Sequence, residues 1–340
     1  QGFGRYASSR LEESQLQSSL LDAPEMASRW IESQDPAQPF FLFINLFDAH
    51  APYEVREENP FVPSRPGMVL ERGRPANPGS RICESVPNPE ELELLRGLYL
   101  GDVRAADAKL GRLIERLRER GLAENLITVV TSDHGEHFGE HRLLEHAFSV
   151  REATLRVPLV VHGLPDVEPA RIEQPVRLSQ IAPSILRWTG APLPAELAAP
   201  PLPLEPGEPV EPVGEPFFGF YSDRSIDAPN VDRALVRADK KSRRQFCGES
   251  DPVFGDMVAL LDYPLKLIWY ERYPPELYDL SWDPLEKSNL ASQQPERVER
   301  LAAAAEAFAR AAGLADFASS DAPELPAEAV EALRALGYAD

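Results

Sequence analysis

The sequence has 340 residues, of which 43% are hydrophobic, so it can bury the core of one large domain or of a domain with a smaller companion. Its net charge of −20 argues against nucleic acid as a partner, because the phosphates would be repelled, and no apolar run reaches the roughly 18 residues of a membrane span. The two cysteines, Cys83 and Cys247, are too few for a disulfide framework, and the sequence leaves open whether they pair.

The chain opens with a short loop and a helix within residues 1–38, and an apolar strand is predicted at 40–47. The residues that indicate the buried face of the helix are Leu20, Leu21, Met26, Ala27, Trp30 and Ile31. The run F-F-L-F-I-N-L-F is too short for a buried helix and nearly all apolar, which is typical of a central strand. Polar residues begin where it ends. Among them His50 is a candidate site residue, and a turn histidine beside Pro52 is the alternative.

Residues 54–87 are rich in Pro, Gly and Arg and have no sustained period, which predicts a long excursion over the surface. A long helix is predicted to begin after Asn88, a good N-cap, because Pro89 and Glu91 occupy positions that such residues favour in a first turn. Apolar residues then keep a helical spacing until Gly121, which supplies the stop.

A second apolar run, 127–131, is uncharged and predicts a buried strand, and another strand follows at 156–161. Ligands of open α/β sheets bind beyond the carboxyl ends of the strands, which is where Asp133 and His134 lie. A carboxylate beside an imidazole suits a divalent cation, although two ligands do not close a site. The alternative is a solvated polar loop whose histidines cap helices or face water.

The C-terminal part is predicted to begin after a helix at 178–190 and a proline-rich linker at 192–216. Beyond the linker we predict short strands at 217–221, 257–261, 265–270 and 276–280, and helices at about 294–312 and 327–336. Turn sequences join the strands, so they predict a small antiparallel sheet. The predicted domains are therefore an α/β domain at 1–200 and, at 201–340, the linker, the small sheet and the terminal helices.

Five stretches of the chain, taken together, carry a family resemblance. They are F-F-L-F-I-N-L-F-D-A-H-A-P-Y (40–53), Y-L-G-D-V-R-A-A-D-A-K-L-G-R-L (99–113), T-S-D-H-G-E-H-F-G-E-H (131–141), R-V-P-L-V-V-H-G (156–163) and E-L-Y-D-L-S-W-D-P-L-E-K-S-N-L-A (276–291). In this order they resemble the sulfatase family, within the alkaline-phosphatase-like metal hydrolases. The resemblance implies an α/β sandwich of helices around a mainly parallel sheet, with a small C-terminal antiparallel sheet and helices.

The resemblance also implies roles for four residues. In such proteins an Asp followed by Asn or His binds a divalent cation, which puts metal binding on Asp133 and His134. The cation is usually Ca²⁺ in sulfatases, with Mg²⁺, Mn²⁺ or Zn²⁺ as the other options. The His of the D-x-H-x-P-Y stretch contacts the sulfate and its leaving oxygen, which implies a catalytic role for His50. A further sulfate contact falls on His146, with His141 as a neighbouring alternative that is expected to support the loop.

The chain departs from the family pattern at the nucleophile. Family members carry a Cys-x-Pro-x-Arg or Ser-x-Pro-x-Arg segment whose first residue becomes a formylglycine, preceded by an Asp pair that completes the metal site, and this chain contains neither. Phe61 occupies the nucleophile's place in the superficially similar stretch at 61–65. We therefore expect the chain to be the C-terminal part of an enzyme, inactive alone, with the formylglycine in preceding residues.

The implied reaction is hydrolysis of a small-molecule or glycan sulfate ester, and two alternatives stay open. One is a phosphoester or phosphonate hydrolase, or a phosphoethanolamine transferase, of the same superfamily, because an Asp-His pair also serves zinc or manganese there. The other is a non-catalytic member that keeps the fold for binding. The stretch L-R-A-L-G-Y (333–338) is similar to the tail of many bacterial members, and export is expected from the resemblance alone.

Overall fold

The structure is a computed structural model, and it describes residues 23–35, 38–56, 59–62, 88–146, 148–165, 167–172, 175–194, 197, 199–204, 216–221, 252–253 and 255–311. The helices in these ranges are α1 Ala23–Glu32, α2 Pro89–Glu119, α3 Glu152–Leu155, α4 Ile181–Trp188 and α5 Pro295–Ala311. The strands are β1 Thr128–Thr131, β2 His137–Phe138, β3 Leu144–Glu145, β4 Leu159–His162, β5 Phe217–Tyr221, β6 Met257–Asp262, β7 Leu265–Tyr270 and β8 Glu276–Asp279. None of the described helices combines the length and the apolar character needed to cross a bilayer.

The long helix α2 confirms the prediction of a helix after Asn88. The side chain of Asn88 accepts a hydrogen bond from the Glu91 N–H at 3.0 Å, and the Glu91 carboxylate accepts one from the Asn88 N–H at 3.2 Å. These two bonds satisfy backbone donors that a helix start leaves unpaired. The helix packs on α1 in a core that contains Ala27, Ile31, Leu113 and Leu117, and Leu122, just after the helix, belongs to the same core.

Residues 40–47 form an extended segment, and the prediction of a central strand there is wrong for the described structure. Alternate side chains face the core, so that Phe40 and Leu42 pack beside α1 and α2, whereas Phe41 and Phe43 are 57% and 71% exposed. A strand is defined by its backbone pairing, and no described strand pairs with this segment. The apolar run therefore predicted the extended backbone but not its neighbours.

Strands β1 and β4 pair in antiparallel fashion, so the prediction of a mainly parallel sheet is wrong for the described residues. The register places Thr128 opposite His162 and Thr131 opposite Leu159. After β1 the chain returns through the β2–β3 hairpin and α3. The Thr131 hydroxyl, at the end of β1, donates to the carbonyl of Pro158, the residue before β4, at 2.8 Å. A strand that starts beside the end of its partner must run the opposite way, whereas parallel pairing needs a crossover to the other end.

The C-terminal strands form the predicted antiparallel sheet, in the order β5-β6-β7-β8. Helix α5 covers one face of it. The core between them consists of Val258, Leu260, Leu267, Leu277, Leu301, Ala305 and Ala309. The opposite face, which includes Ile268 and Tyr278, packs against Val150 just before α3. This sheet therefore supports the segment that follows the candidate site.

Several predictions fall outside the described residues. These are Leu20 and Leu21, the greater part of 54–87, the helix at 327–336, and Cys83 and Cys247. The division of the chain into domains at residue 200 stays a prediction.

Candidate functional site

Three histidine rings converge beyond the end of β1. The ring centroids of His134 and His146 lie 4.0 Å apart in a stacked arrangement, and those of His50 and His146 lie 5.3 Å apart, edge to face. The ring of Phe47 stacks on that of His50, with the two centroids 4.4 Å apart. The fold thus brings the loop after residues 40–47 onto the loop after β1.

A hydrogen bond to the backbone orients the ring of His134 beside Asp133. Nδ1 of His134 lies 2.9 Å from the carbonyl oxygen of Gly135, which can only accept, so Nδ1 carries the proton and donates it. The other ring nitrogen, Nε2, lies 3.9 Å from Oδ1 of Asp133. An imidazole ordered by a carbonyl oxygen and placed beside a carboxylate is a donor set that suits a divalent cation.

The described residues supply this donor pair but not a complete metal site. Within them, no group of three or more His, Cys, Asp or Glu side chains has the arrangement that a metal ion requires. The side chain of Asp133 is 69% exposed, so further ligands can reach it. A cation held here would take its other ligands from water, substrate or polypeptide outside the described residues.

His146 is oriented by the buried carboxylate of Glu136. Nδ1 of His146 donates to Oε1 of Glu136 at 3.2 Å, and the Tyr53 hydroxyl donates to Oε2 at 3.0 Å. Burial alone would lower the pKa of His146, but the hydrogen bond and the negative charge of Glu136 outweigh it and raise that pKa above its ordinary value. The ring therefore holds a proton more readily than an isolated histidine, which suits contact with an anion.

The loop at 48–56, which carries His50, is fixed to α2 by charged side chains. Oδ1 of Asp48 accepts from Nζ of Lys109 at 2.7 Å, and an Arg56 nitrogen lies 3.5 Å from the same oxygen. Nε of Arg56 donates to Oδ1 of the fully buried Asp102 at 2.7 Å. These contacts lie on both sides of the histidine in sequence, so they restrict the position of its ring.

Gly135 brings the loop after β1 into close contact with α3. Its N–H donates to the Thr154 carbonyl at 2.8 Å, and a Cβ at this position would lie 2.2 Å from the carbonyl oxygen of Ala153. Only glycine fits such an approach of two backbones. The adjoining residues Asp133 and His134 are thereby tied to α3.

The two other histidines of the segment make supporting contacts. His137 is 1% exposed, and its Nε2 lies 2.9 Å from the Ser149 hydroxyl. Burial lowers the pKa of His137 to about 4, because the charged ring would lose its hydration. His141 lies against the C-terminal part, with Nε2 3.1 Å from the Leu285 carbonyl oxygen. That contact joins the loop after β1 to the C-terminal part, and the supporting role of His141 stays a prediction.

The four site residues predicted from the sequence, His50, Asp133, His134 and His146, lie together, and their chemical roles stay predictions. No role was predicted for Glu136, which orients His146, or for Tyr53, which donates to Glu136. Both lie within the quoted motifs, and that position is the signal that could have found them. Asp102 also lies in a quoted motif, but nothing in the sequence indicates that it reaches across to the loop at 48–56.

Comparisons with known proteins identify the family. Residues 22–191, which make up half of the chain, match the family model described as Sulfatase. The chain is 27% identical over 306 residues to arylsulfatase K of Xenopus laevis, covering 82% of this chain and 53% of that protein. It is 26% identical over 296 residues to the multifunctional alkaline phosphatase superfamily protein PehA of Trinickia caryophylli, covering 78% and 54%. The chain thus spans about half the length of these relatives.

A solved structure supports the assignment at the level of the fold. The phosphonate monoester hydrolase of Agrobacterium radiobacter superposes with a TM-score of 0.59 at 24% identity, covering 86% of this chain and 60% of that one. Identity at this level shows the shared fold alone. The match of the family model over half of its residues, together with the similarity to arylsulfatase K, shows that the chain belongs to the sulfatase family, within the alkaline phosphatase superfamily.

Proposed function

We propose that the intact protein hydrolyses sulfate esters with a divalent cation held at Asp133 and His134. The observation that carries this proposal is the convergence of the rings of His50, His134 and His146 beside the Asp133 carboxylate. The similarity to arylsulfatase K over most of the chain supports sulfur rather than phosphorus as the reacting centre. We expect a small-molecule or glycan sulfate ester as the substrate.

In this proposal His50 is the general acid that protonates the leaving oxygen. Its Nδ1 lies 2.6 Å from the Ala51 carbonyl oxygen and therefore carries a proton that it donates there. Nε2 is then the atom that can hand a proton to a ligand and take one back. Imidazole exchanges protons readily near neutral pH, and Phe47 stacks on the ring and limits its rotation.

His146 in turn binds the sulfate oxygens. Its Nδ1 is committed to Glu136, so Nε2 is the atom available to the anion. The carboxylate also favours the protonated ring, which can donate from Nε2 with a positive charge behind the bond. This local charge matters because the chain as a whole carries a net charge of −20 and repels anions.

A bound cation would offset the negative charge that develops on the sulfate oxygens. We propose Ca²⁺, with Mg²⁺, Mn²⁺ and Zn²⁺ as alternatives, since the Asp133 carboxylate is an oxygen ligand that hard cations favour. We further propose that the nucleophile is a formylglycine from polypeptide that precedes Gln1 in the intact protein. Two facts support this: the sequence contains no Cys-x-Pro-x-Arg or Ser-x-Pro-x-Arg segment, and it spans half the length of its relatives.

A phosphoester or phosphonate hydrolase is the second candidate. The similarity to PehA favours it, since that relative is described as a multifunctional member of the alkaline phosphatase superfamily. The Asp133–His134 pair suits Zn²⁺ or Mn²⁺ as well as Ca²⁺. The site geometry is the same for both candidates, so the substrate assay separates them.

The test compares the intact protein with its His50→Ala variant on an aryl sulfate and on an aryl phosphonate monoester. We expect faster turnover of the sulfate and a loss of about 100-fold or more in kcat for the variant, because a general acid contributes about that much. His162→Ala is the control, since this histidine is exposed on β4.

A preference for the phosphonate would favour the second candidate instead. A His50→Ala variant within about twofold of the parent would remove the acid role. Absence of turnover of either ester would favour a non-catalytic binding protein.

A further inference from the structure

A buried charged cluster joins α3 to the C-terminal sheet. Nζ of Lys266, on β7, lies 2.7 Å from Oε1 of Glu152 and 2.9 Å from Oε1 of Glu286. Lys266 is 1% exposed and Glu286 is 2% exposed. Since a lone buried charge is strongly unfavourable, the ammonium and the two carboxylates hold one another in fixed positions. The cluster therefore fixes the start of α3 relative to the sheet.

Glu286 also caps α3 directly. Its Oε2 accepts a hydrogen bond from the Glu152 N–H at 2.8 Å. Its own backbone lies at φ +54°, a region that residues other than glycine rarely adopt. Asp283 stabilises this turn by accepting from the N–H groups of Lys287 and Ser288 at 3.1 and 2.8 Å. Such strain persists only where the surroundings impose it, and it concentrates at functional sites.

The residue before α3 is anchored on the same sheet. Arg151 is 6% exposed, and its guanidinium donates to Glu276 at 2.7 Å and to the Tyr278 hydroxyl at 3.2 Å. Two consecutive residues, Arg151 and Glu152, are thus held by β7, β8 and the turn that follows β8. A four-residue helix fixed at its first turn has little freedom to move.

Helix α3 contacts the loop after β1 through a hydrogen bond of 2.8 Å from the Gly135 N–H to the Thr154 carbonyl. The two backbones lie so close there that position 135 has no room for a side chain, so the position of α3 restricts that of the loop. Asp133 and His134 immediately precede that glycine. We propose that the C-terminal sheet sets the geometry of the Asp133–His134 pair through α3, and that Glu286 is the positioning residue for cation binding. The inference rests on the proposed function in one respect, namely that this pair binds a cation.

The test distinguishes the effect of side-chain length at Glu286 from the effect of its charge, in the intact protein. Glu286→Asp keeps the charge but draws the carboxylate back from the Glu152 N–H, whereas Glu286→Gln loses the charge but keeps an oxygen within reach. We expect the Asp variant to weaken Ca²⁺ binding, measured by titration calorimetry, by on the order of tenfold, as residues behind metal ligands do. The Gln variant should stay within about threefold of the parent.

A destabilised control distinguishes positioning from general stability. Leu301→Ala opens the core between α5 and the same sheet, where Leu301 is 5% exposed. We expect this variant to lower Tm and to leave the Kd for Ca²⁺ unchanged. In assays of sulfate ester hydrolysis, excess Ca²⁺ should restore kcat of Glu286→Asp.

Three results would overturn the inference: parental affinity in Glu286→Asp, equal weakening in Leu301→Ala, or no binding of Ca²⁺ by the parent. An intact protein that binds Ca²⁺ with the expected order of affinities but hydrolyses no sulfate ester would overturn the proposed function alone.

Discussion

Gly135 occupies a position where two backbones meet without space for a methyl group. We predict that Gly135→Ala destabilises the protein by about 2 kcal/mol or more, because its Cβ would overlap the Ala153 carbonyl oxygen. Gly111→Ala is the matched control, since nothing lies within 4 Å of a Cβ there and α2 should gain about 0.5–1 kcal/mol. Thermal unfolding of both variants checks this. A Tm for Gly135→Ala equal to that of the parent would mean that the loop moves away from α3 at no cost.

The buried ring of His137 makes stability depend on pH. Its pKa is about 4 in the folded chain against an ordinary value of 6.5, so the unfolded chain takes up a proton first as the pH falls. This contribution is complete above pH 6.5 and is lost toward pH 4, and it amounts to about 3 kcal/mol at 1.36 kcal/mol per pKa unit. The charged or titratable groups that act on this ring are Glu140, His141, His146 and Arg151.

Replacement of His137 by Gln should therefore flatten the loss of stability in acid. The measurement is the free energy of unfolding in denaturant at pH 7 and at pH 4.5, for the parent, for His137→Gln and for His162→Gln. His162→Gln is the control for the loss of a histidine, since His162 is exposed on β4. An unchanged slope in His137→Gln would contradict the prediction, because it would show that burial does not lower the pKa of this ring.

At the scale of elements, α2 both covers α1 and holds the loop at 48–56. Asp102 accepts from Arg56 and, at 2.9 Å, from the Glu54 N–H. We predict that Asp102→Asn lowers the free energy of unfolding by about 3 kcal/mol, because it leaves the arginine without its buried partner. The same change should reduce kcat/KM, since the ring of His50 belongs to that loop.

Asp107→Asn is the matched control on the same helix. Asp107 is exposed, so its replacement should change stability by less than about 0.5 kcal/mol. Denaturant titration of the two variants compares them directly. Equal effects would mean that the ion pair with Arg56 contributes nothing measurable.

The elements that the sequence predicted correctly are those with local signals. The Asn88 and Glu91 capping box, the strand at 128–131 and the meander from β5 to β8 each depend on residues close together in the chain. The extended segment at 40–47 was predicted in its backbone and missed in its pairing. Pairing depends on other strands, and no pattern within eight residues specifies them.

At the scale of the whole molecule, the family motifs indicated the fold. The resemblance implied a mainly parallel sheet, whereas the described strands β1 and β4 are antiparallel. Thr131 and Leu159 lie side by side and force β4 to run against β1, a consequence of the short return through α3. His50 and the Asp133–His134 pair were predicted because each follows an apolar run, whereas His146 was implied only by the family resemblance. The orienting carboxylate of the site, Glu136, and the link of the site to Glu286 could not be predicted, because both depend on contacts between distant parts of the chain.

The contact between Glu152 and Glu286 also sets an order of events during synthesis. These residues are 134 positions apart, whereas β6, β7 and β8 are joined by short turns and can form as soon as they emerge. A ribosome that adds about 5–20 residues per second needs on the order of ten seconds to cover that distance. Throughout this interval Asp133 and His134 have already been synthesised, but the contact between Glu152 and Glu286 that we propose sets their geometry cannot yet form.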